Sequence, residues 1–237
     1  MHIPSRAARV LAVAALPLLL AACGSSGDSP AASGTAPAKG APKDPDAGLL
    51  TGTRLKQALA PASYFGAGFA VDPSAARDSG DTYAPPSTAP TAKRDCTRLN
   101  GTGWIGITGI DGGSFAQNDY VDKDTSEDIG QEIDAYRGTT AGDVLADLAR
   151  TAAACTGFPD ADTHSKVTVT GRSTPALGDA AYTLTLTDSA WGNGTTLVAA
   201  RVGTDVVSVM STAGHDNGAA SATKLTRRIV ASLREAA

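Results

Sequence analysis

Apolar side chains alternate with polar ones along much of the second half of the chain, and this spacing predicts β-strands. In the segment 129–136, the alternation predicts a buried side with Ile129 and Ile133 and a solvent-facing side with Glu132 and Asp134. Further strands are predicted in the same way at 65–71, 114–121, 167–169, 180–187, 195–202 and 205–210. The connection between the last two strands is very short, which is typical of an antiparallel hairpin.

Three other segments carry apolar residues at helical spacing. The first begins near Leu49 and ends before Pro61, and the last covers the C-terminus from Ala222 onwards. The middle helix has Thr140 as its expected N-cap, with Asp143 three residues later, as in a capping box. Helices that turn an apolar stripe toward the strands predict an α+β fold, in which helices flank a twisted antiparallel β-sheet.

Two stretches carry too few apolar residues to build a core. Residues 23–48 are mostly small or polar, and because such a composition does not offset the entropy lost on ordering, we expect a flexible linker. Residues 72–94 have a similar composition and are expected to form a disordered loop. The sequence therefore predicts one folded domain at 49–237 that contains this loop.

The N-terminus has the features of a secretory signal peptide, in the usual order. Arg6 and Arg9 precede an apolar run, and two alanines follow that run directly before Cys23. The sequence Leu-Ala-Ala-Cys at 20–23 resembles the bacterial lipobox, whose signal, here residues 1–22, is removed and whose cysteine is lipidated. An ordinary signal peptide followed by a chance cysteine is the alternative. The lipobox interpretation predicts a protein attached to the extracytoplasmic side of the cell membrane by a lipid on Cys23.

The formal net charge is −4 at pH 7, and removal of residues 1–22 makes the chain more acidic. Nucleic acids are bound through Lys and Arg at phosphates, so an acidic chain without a basic cluster in its sequence predicts no nucleic-acid partner. The same composition argues against a polybasic membrane patch. Beyond residue 22, no apolar run approaches the roughly 18 residues of a transmembrane helix. We therefore expect the lipid to provide the membrane attachment.

The chain contains three cysteines, and lipidation of Cys23 leaves Cys96 and Cys155. In an exported chain we expect these two to form a disulfide, which closes a loop of about 60 residues and contributes roughly 4 kcal/mol. Two free thiols or a metal site are the alternatives. Neither His164 nor His215 has metal-type spacing to these cysteines, so no metal site is predicted.

The sequence contains no complete catalytic motif. Residues 112–116 approach the G-x-S-x-G nucleophile elbow but lack its last glycine, and 101–106 match G-x-G-x-x-G without the flanking strand and helix. Acidic residues crowd 119–134, but Glu127 and Ile133 replace the glycine and glutamate of an EF-hand loop. A solvated acidic face is expected there, with weak calcium binding as the alternative. We predict that the protein is not an enzyme and that it has no cofactor.

Three aromatic residues are candidates for contact with a ligand, namely Trp104, Tyr136 and Trp191. Trp191 lies in a polar connection, where a large ring is uncommon. If exposed, it would offer an apolar contact to a ligand or partner. The alternative is that this ring folds back over the edge of the core.

Several segments together carry a resemblance to a known family: Cys96, the helix end at 151–155, the segments 178–182 and 199–209, and the C-terminal helix. They resemble the extracellular sensor domain of the actinobacterial PknH-type receptor kinases, a domain that also occurs detached in lipoproteins. The resemblance implies a twisted antiparallel sheet surrounded by helices, with a cleft proposed to bind an unidentified ligand. This chain departs from the family in two respects, because it has no kinase domain and can form one disulfide where the kinase's domain holds two. The family supplies no catalytic motif.

Two functional hypotheses follow. In the first, a membrane-anchored binding or sensor domain takes a small envelope molecule in a cleft between sheet and helices. In the second, the domain is an interaction or scaffold module that docks an envelope protein. A closed hollow near Trp104 or Tyr136 would favour the first, and exposed apolar surface around Trp191 would favour the second.

Overall fold

The computed structural model of this chain describes residues 44–86 and 95–236. The predicted signal peptide, Cys23, most of the predicted linker and residues 87–94 of the predicted loop lie outside the described residues. The α-helices are α1 (Gly52–Ala58), α2 (Ile105–Thr108), α3 (Thr140–Ala154) and α4 (Ala219–Ala236). The strands are β1 (Phe69–Asp78), β2 (Ser114–Asp122), β3 (Asp128–Ala135), β4 (Gly157–Pro159), β5 (Lys166–Ser173), β6 (Ala180–Thr187), β7 (Thr195–Val202) and β8 (Asp205–Ser211). Short 3-10 helices cover Ala62–Tyr64 and Cys96–Leu99.

These strands form one sheet in the order β1-β2-β3-β8-β7-β6-β5-β4, and every neighbouring pair is antiparallel. Helices lie on both faces of the sheet, so the predicted α+β fold is confirmed. Successive side chains of a strand point to opposite faces, and Val206 and Val207 of β8 therefore enter different cores. One core lies under α1 and α4, and the other lies under α2 and α3.

The predicted solvent-facing side of β3 is wrong. Glu132 and Asp134 are only 8% and 9% exposed. The segment before α2 packs on this face, where the Thr102 hydroxyl donates to Glu132 Oε2 at 2.7 Å. Alternation identifies the residues that share a face, but it does not reveal what covers that face.

The predicted disordered loop at 72–94 is also partly wrong, because β1 continues through Asp78. Arg77 pairs with Gln117, and the register shifts between Asp72 and Arg77. β1 is an edge strand with one neighbour, which explains how it tolerates Pro73 and a polar composition. The strand predicted at 65–71 begins only at Phe69, after a turn in which Phe69 N–H donates to Gly66 O at 3.1 Å.

Helix α3 is confirmed, but its predicted N-cap is wrong. Thr139 is the N-cap and makes no side-chain capping bond, and Thr140 is already helical. The chain turns into the helix at Gly138, whose φ is +59°. Thr140 N–H then donates to Arg137 O at 3.2 Å, and a capping box at Thr140 has no role in this turn.

The predicted disulfide between Cys96 and Cys155 is confirmed. It joins the 3-10 helix Cys96–Leu99 to the residue that caps the C-terminal end of α3. The covalent link therefore holds α3 against the segment that covers the acidic side of β3.

Candidate functional site

The candidate site is a cleft of about 740 Å³ between α3 and the connection from β5 to β6. A volume of this size falls in the range of sites that hold small molecules. Its lining residues are Gly142, Leu145, Ala146 and Ala149 of α3, Ser173, Thr174, Pro175, Ala176, Gly178 and Asp179 of the connection and its flank, and Ala180, Ala181, Tyr182 and Arg201 of the sheet.

The α3 wall is apolar because some apolar residues of this helix face the cleft, while others pack on the sheet. Val144 and Leu148 are 1% and 0% exposed in the core. Leu145 borders both the core and the cleft, while Ala146 is exposed. Short side chains along this side of α3, including Ala149, leave room beside the helix instead of filling it.

The opposite wall is held close to β7 by Gly178. A Cβ at this glycine would lie 2.3 Å from Arg201 O, and its φ is +66°. Only glycine therefore fits without a shift of the backbone. The neighbouring Leu177 is buried in the core under α4, and Thr174 N–H donates to Ala181 O at 2.9 Å. These contacts fix the connection as a wall of the cleft.

One end of the cleft carries charge. Asp179 Oδ2 lies 3.8 Å from Arg201 Nη1, and Asp179 Oδ1 lies 3.5 Å from Arg234 Nη2. The same carboxylate accepts a hydrogen bond from Gly203 N–H at 2.7 Å. Asp179 and Arg201 both line the cleft, whereas Arg234 does not, so this end of an otherwise apolar cleft carries an ion pair.

The three aromatic candidates from the sequence lie elsewhere. Trp104 and Tyr136 are 1% and 2% exposed in the core under α3. Trp104 Nε1 donates to Ser208 Oγ at 2.5 Å, so its polar atom is satisfied inside the protein. Trp191 is half-buried and packs against the same core from its polar connection. None of the three lines the cleft, and their role in ligand binding stays a prediction.

Sequence reasoning did not find the cleft residues. Alanine and glycine carry no chemical signal, and the cleft depends on the distance between α3 and a connection far away in sequence. The segment 178–182 contributed to the family resemblance, and all five of its residues line the cleft.

The acidic stretch is divided by the fold into an exposed turn and a buried row. Asp122, the last residue of β2, accepts hydrogen bonds from the Thr125 and Asp124 amides of the following turn, and these bonds lower its pKa. Burial raises the pKa of Glu132 and raises that of Asp134 well above its usual range. The charges of Glu132, Asp111 and Asp205 add to the effect on Asp134.

Asp205, at the start of β8, lies close enough to Asp134 for its charge to raise the pKa of Asp134. Burial raises the pKa of Asp205 to about 7. Asp205 Oδ1 and Asp134 Oδ2 have no hydrogen-bond partner among the described residues. Within those residues, no three His, Cys, Asp or Glu side chains are grouped so as to hold a metal ion. Burial therefore makes the protonated form of each of these carboxyls more favourable than it is in water.

Among the helices of residues 44–86 and 95–236, none combines the length and the apolar character needed to cross a bilayer.

No protein-family model matches the chain, and no curated protein matches its sequence. Among solved structures, the chain is similar to the extracellular domain of PknH from Mycobacterium tuberculosis, with a TM-score of 0.57 and 14% sequence identity. The similarity covers 79% of this chain and 98% of that domain. Because the identity is low, the likeness shows a shared fold alone. The PknH-like fold expected from the sequence is confirmed.

Proposed function

We propose that this protein is a lipid-anchored, extracytoplasmic binding or sensor protein that holds a small envelope molecule in the cleft between α3 and the β5–β6 connection. The lipobox-like sequence at 20–23 supports the anchor. The disulfide supports an oxidising compartment outside the cytoplasm, and the fold shared with an extracellular domain agrees with that location. The proposal includes no catalysis.

The apolar cleft with one charged end, formed by the Arg201–Asp179 ion pair, is the observation that carries this proposal. Apolar surface moved out of water contributes about 25 cal/mol per Å², so the walls at Leu145, Ala149 and Ala181 favour an apolar ligand body. The ion pair of Arg201 and Asp179 favours a strongly polar group at one end of the ligand. An amphiphile of the envelope, with one apolar chain or ring and one polar group, combines both properties.

Native mass spectrometry of protein released from its own cell envelope tests the proposal. The unmodified protein is expected to carry an added mass that disappears on denaturation. Ala146→Trp places a large ring in the cleft, so it should abolish the added mass and leave the melting temperature equal to that of the ligand-free parent. Ala153→Trp is the matched control, because Ala153 is also exposed on α3 but does not line the cleft.

An added mass retained by Ala146→Trp would place the ligand elsewhere and would contradict the cleft assignment. A clean protein mass, together with no binding from an extract of envelope lipids, would contradict ligand binding as the function.

A protein-interaction or scaffold module is the second candidate. Ile105 and Val121 support it, because they are large apolar side chains that are 48% and 37% exposed. The scaffold function becomes the preferred hypothesis if no ligand is found in the cleft.

A further inference from the structure

Helix α4 presents a cationic side to solvent. Lys224, Arg227 and Arg228 are all exposed, and residues three and four apart lie on the same side of a helix. Among the described residues, no carboxylate lies within 4.0 Å of any of the three. The opposite side of α4 carries Leu225 and Ile229, which are 1% and 0% exposed in the core.

An aromatic cluster lies directly beside two of these cations, Lys224 and Arg228. Lys224 Nζ is 5.7 Å and Arg228 Cζ is 5.1 Å from the centre of the Tyr64 ring. Tyr64 contacts Phe65 edge-on at 5.3 Å, and Phe65 lies 6.0 Å from Phe69 between ring centres. All three rings are half-buried, so each keeps part of its surface in solvent.

A hollow of about 310 Å³ opens between the aromatic cluster and α4. Tyr64, Phe65 and Phe69 line it together with Lys224. Glu127 is also in the lining, and its Oε1 accepts a hydrogen bond from Gly214 N–H at 2.8 Å. The surface therefore combines apolar rings, which accept lipid groups, with Lys224 in the lining and Arg228 over the Tyr64 ring, while the Glu127 carboxylate is held by the Gly214 amide.

We propose that this face, defined by Tyr64, Phe65, Phe69, Lys224, Arg227 and Arg228, docks on the anionic phospholipid surface of the membrane to which the protein is attached. Cations favour anionic headgroups, and aromatic rings favour the boundary between water and lipid. The whole chain is acidic, with a net charge of −4, so this face is oriented toward an anionic surface while most of the domain is repelled. The inference rests on the proposed location at a membrane but not on a ligand in the cleft.

The length of the chain before the described domain permits this contact. Twenty residues separate Cys23 from Asp44, and a chain of that length spans at most roughly 70 Å. The domain begins near the end of β3, where Asp46 lies 2.6 Å from Arg137 Nη2. The hollow includes Ile129 near the start of β3, and a strand of this length covers only about 26 Å.

Vesicle flotation of the chain from residue 24 to 237, which carries no lipid, tests the docking. The chain is expected to float with vesicles containing 30% phosphatidylglycerol but not with pure phosphatidylcholine vesicles, and 0.5 M salt should release it. Each Lys or Arg near an anionic surface strengthens binding by roughly fivefold. Lys224→Gln, Arg227→Gln and Arg228→Gln combined should therefore weaken binding by roughly a hundredfold.

The matched control neutralises three exposed cations elsewhere, with Arg150→Gln, Lys166→Gln and Arg172→Gln, and should float like the unmodified chain. Equal loss in this control would show that net charge, rather than this face, determines binding, and would overturn the proposal. Equal flotation with both kinds of vesicle would overturn it as well, as would unchanged flotation of the α4 variant. An empty cleft leaves all these results unaffected, so failures of the two proposals are distinguishable.

Discussion

At the scale of single residues, the most unusual groups are the carboxyls buried on the α3 side of the sheet. Asp205 is 7% exposed, and Oδ1 lacks a hydrogen-bond partner among the described residues. A charged carboxylate in such a place costs desolvation free energy that no partner repays. This desolvation raises the pKa of Asp205 to about 7, because burial favours the protonated, neutral carboxyl.

Stability is therefore expected to decrease as the pH rises. An Asp in the unfolded chain has a pKa near 3.9, and the folded pKa of Asp205 is about 7. The folded state binds the proton more tightly, so the stabilisation is complete below about pH 4 and is lost as the pH rises through about 7. The raised pKa values of Glu132 and Asp134 act in the same direction.

Urea unfolding at pH 5 and pH 8 measures this effect. We expect the free energy of unfolding to be lower at pH 8 than at pH 5 by roughly 2–3 kcal/mol for Asp205. Asp205→Asn should reduce the difference between the two pH values, whereas Asp124→Asn, in the exposed turn, should leave it unchanged. A free energy of unfolding that increases from pH 5 to pH 8 would contradict the assignment.

At the scale of elements, prediction succeeded where a strand has two neighbours and a clear alternation. The predicted bounds 180–187 and 195–202 are those of β6 and β7. The three-residue β4 was missed because a hydrophobic period is not visible over three residues. The second half of β1 was missed because an edge strand buries few side chains, and its pairing with β2 defines it instead.

Helix α3 is the element on which the cleft depends, and the disulfide at its C-terminal end limits its movement. Replacing both Cys96 and Cys155 by serine should lower the free energy of unfolding by roughly 2–4 kcal/mol, because the unfolded chain regains the freedom of a loop of about 60 residues. Denaturant unfolding without reductant measures the loss. Hydrogen exchange should increase in α3 more than in α4, since α4 is not linked to either cysteine. Equal stability of the variant and the parent would show that the disulfide is not a structural bond.

At the scale of the whole molecule, two features independently favour a place at the membrane. One is the lipobox-like sequence before Cys23, and the other is the cationic and aromatic face of α4. The acidic composition argues against a polybasic patch, and the three cations of that face are too few to change this balance. The helix brings them onto one side, and the turn at 64–69 adds the rings.

Cys23→Ala tests the anchor separately from the docking face. We expect this variant to leave the membrane fraction and appear in the medium, or to accumulate as an unprocessed precursor. Cell fractionation followed by mass measurement of the N-terminus distinguishes these states from the lipidated protein. Normal processing with unchanged membrane attachment would contradict lipidation of Cys23.

The sequence by itself determined the α+β class, most strands, the three long helical segments and the disulfide pair. The strands and helices follow from the periodic spacing of apolar residues, and the disulfide follows from the number of cysteines.

Only the tertiary structure decided what covers each face of the sheet. Glu132 and Asp134 are buried, although alternation predicted that they face solvent. Trp104 and Tyr136 lie in the core, and a cleft lies beside Ala146. These outcomes depend on distances between segments remote in sequence, and such distances leave no periodic trace in the chain. The candidate site exists only because the fold brings α3 next to the β5–β6 connection.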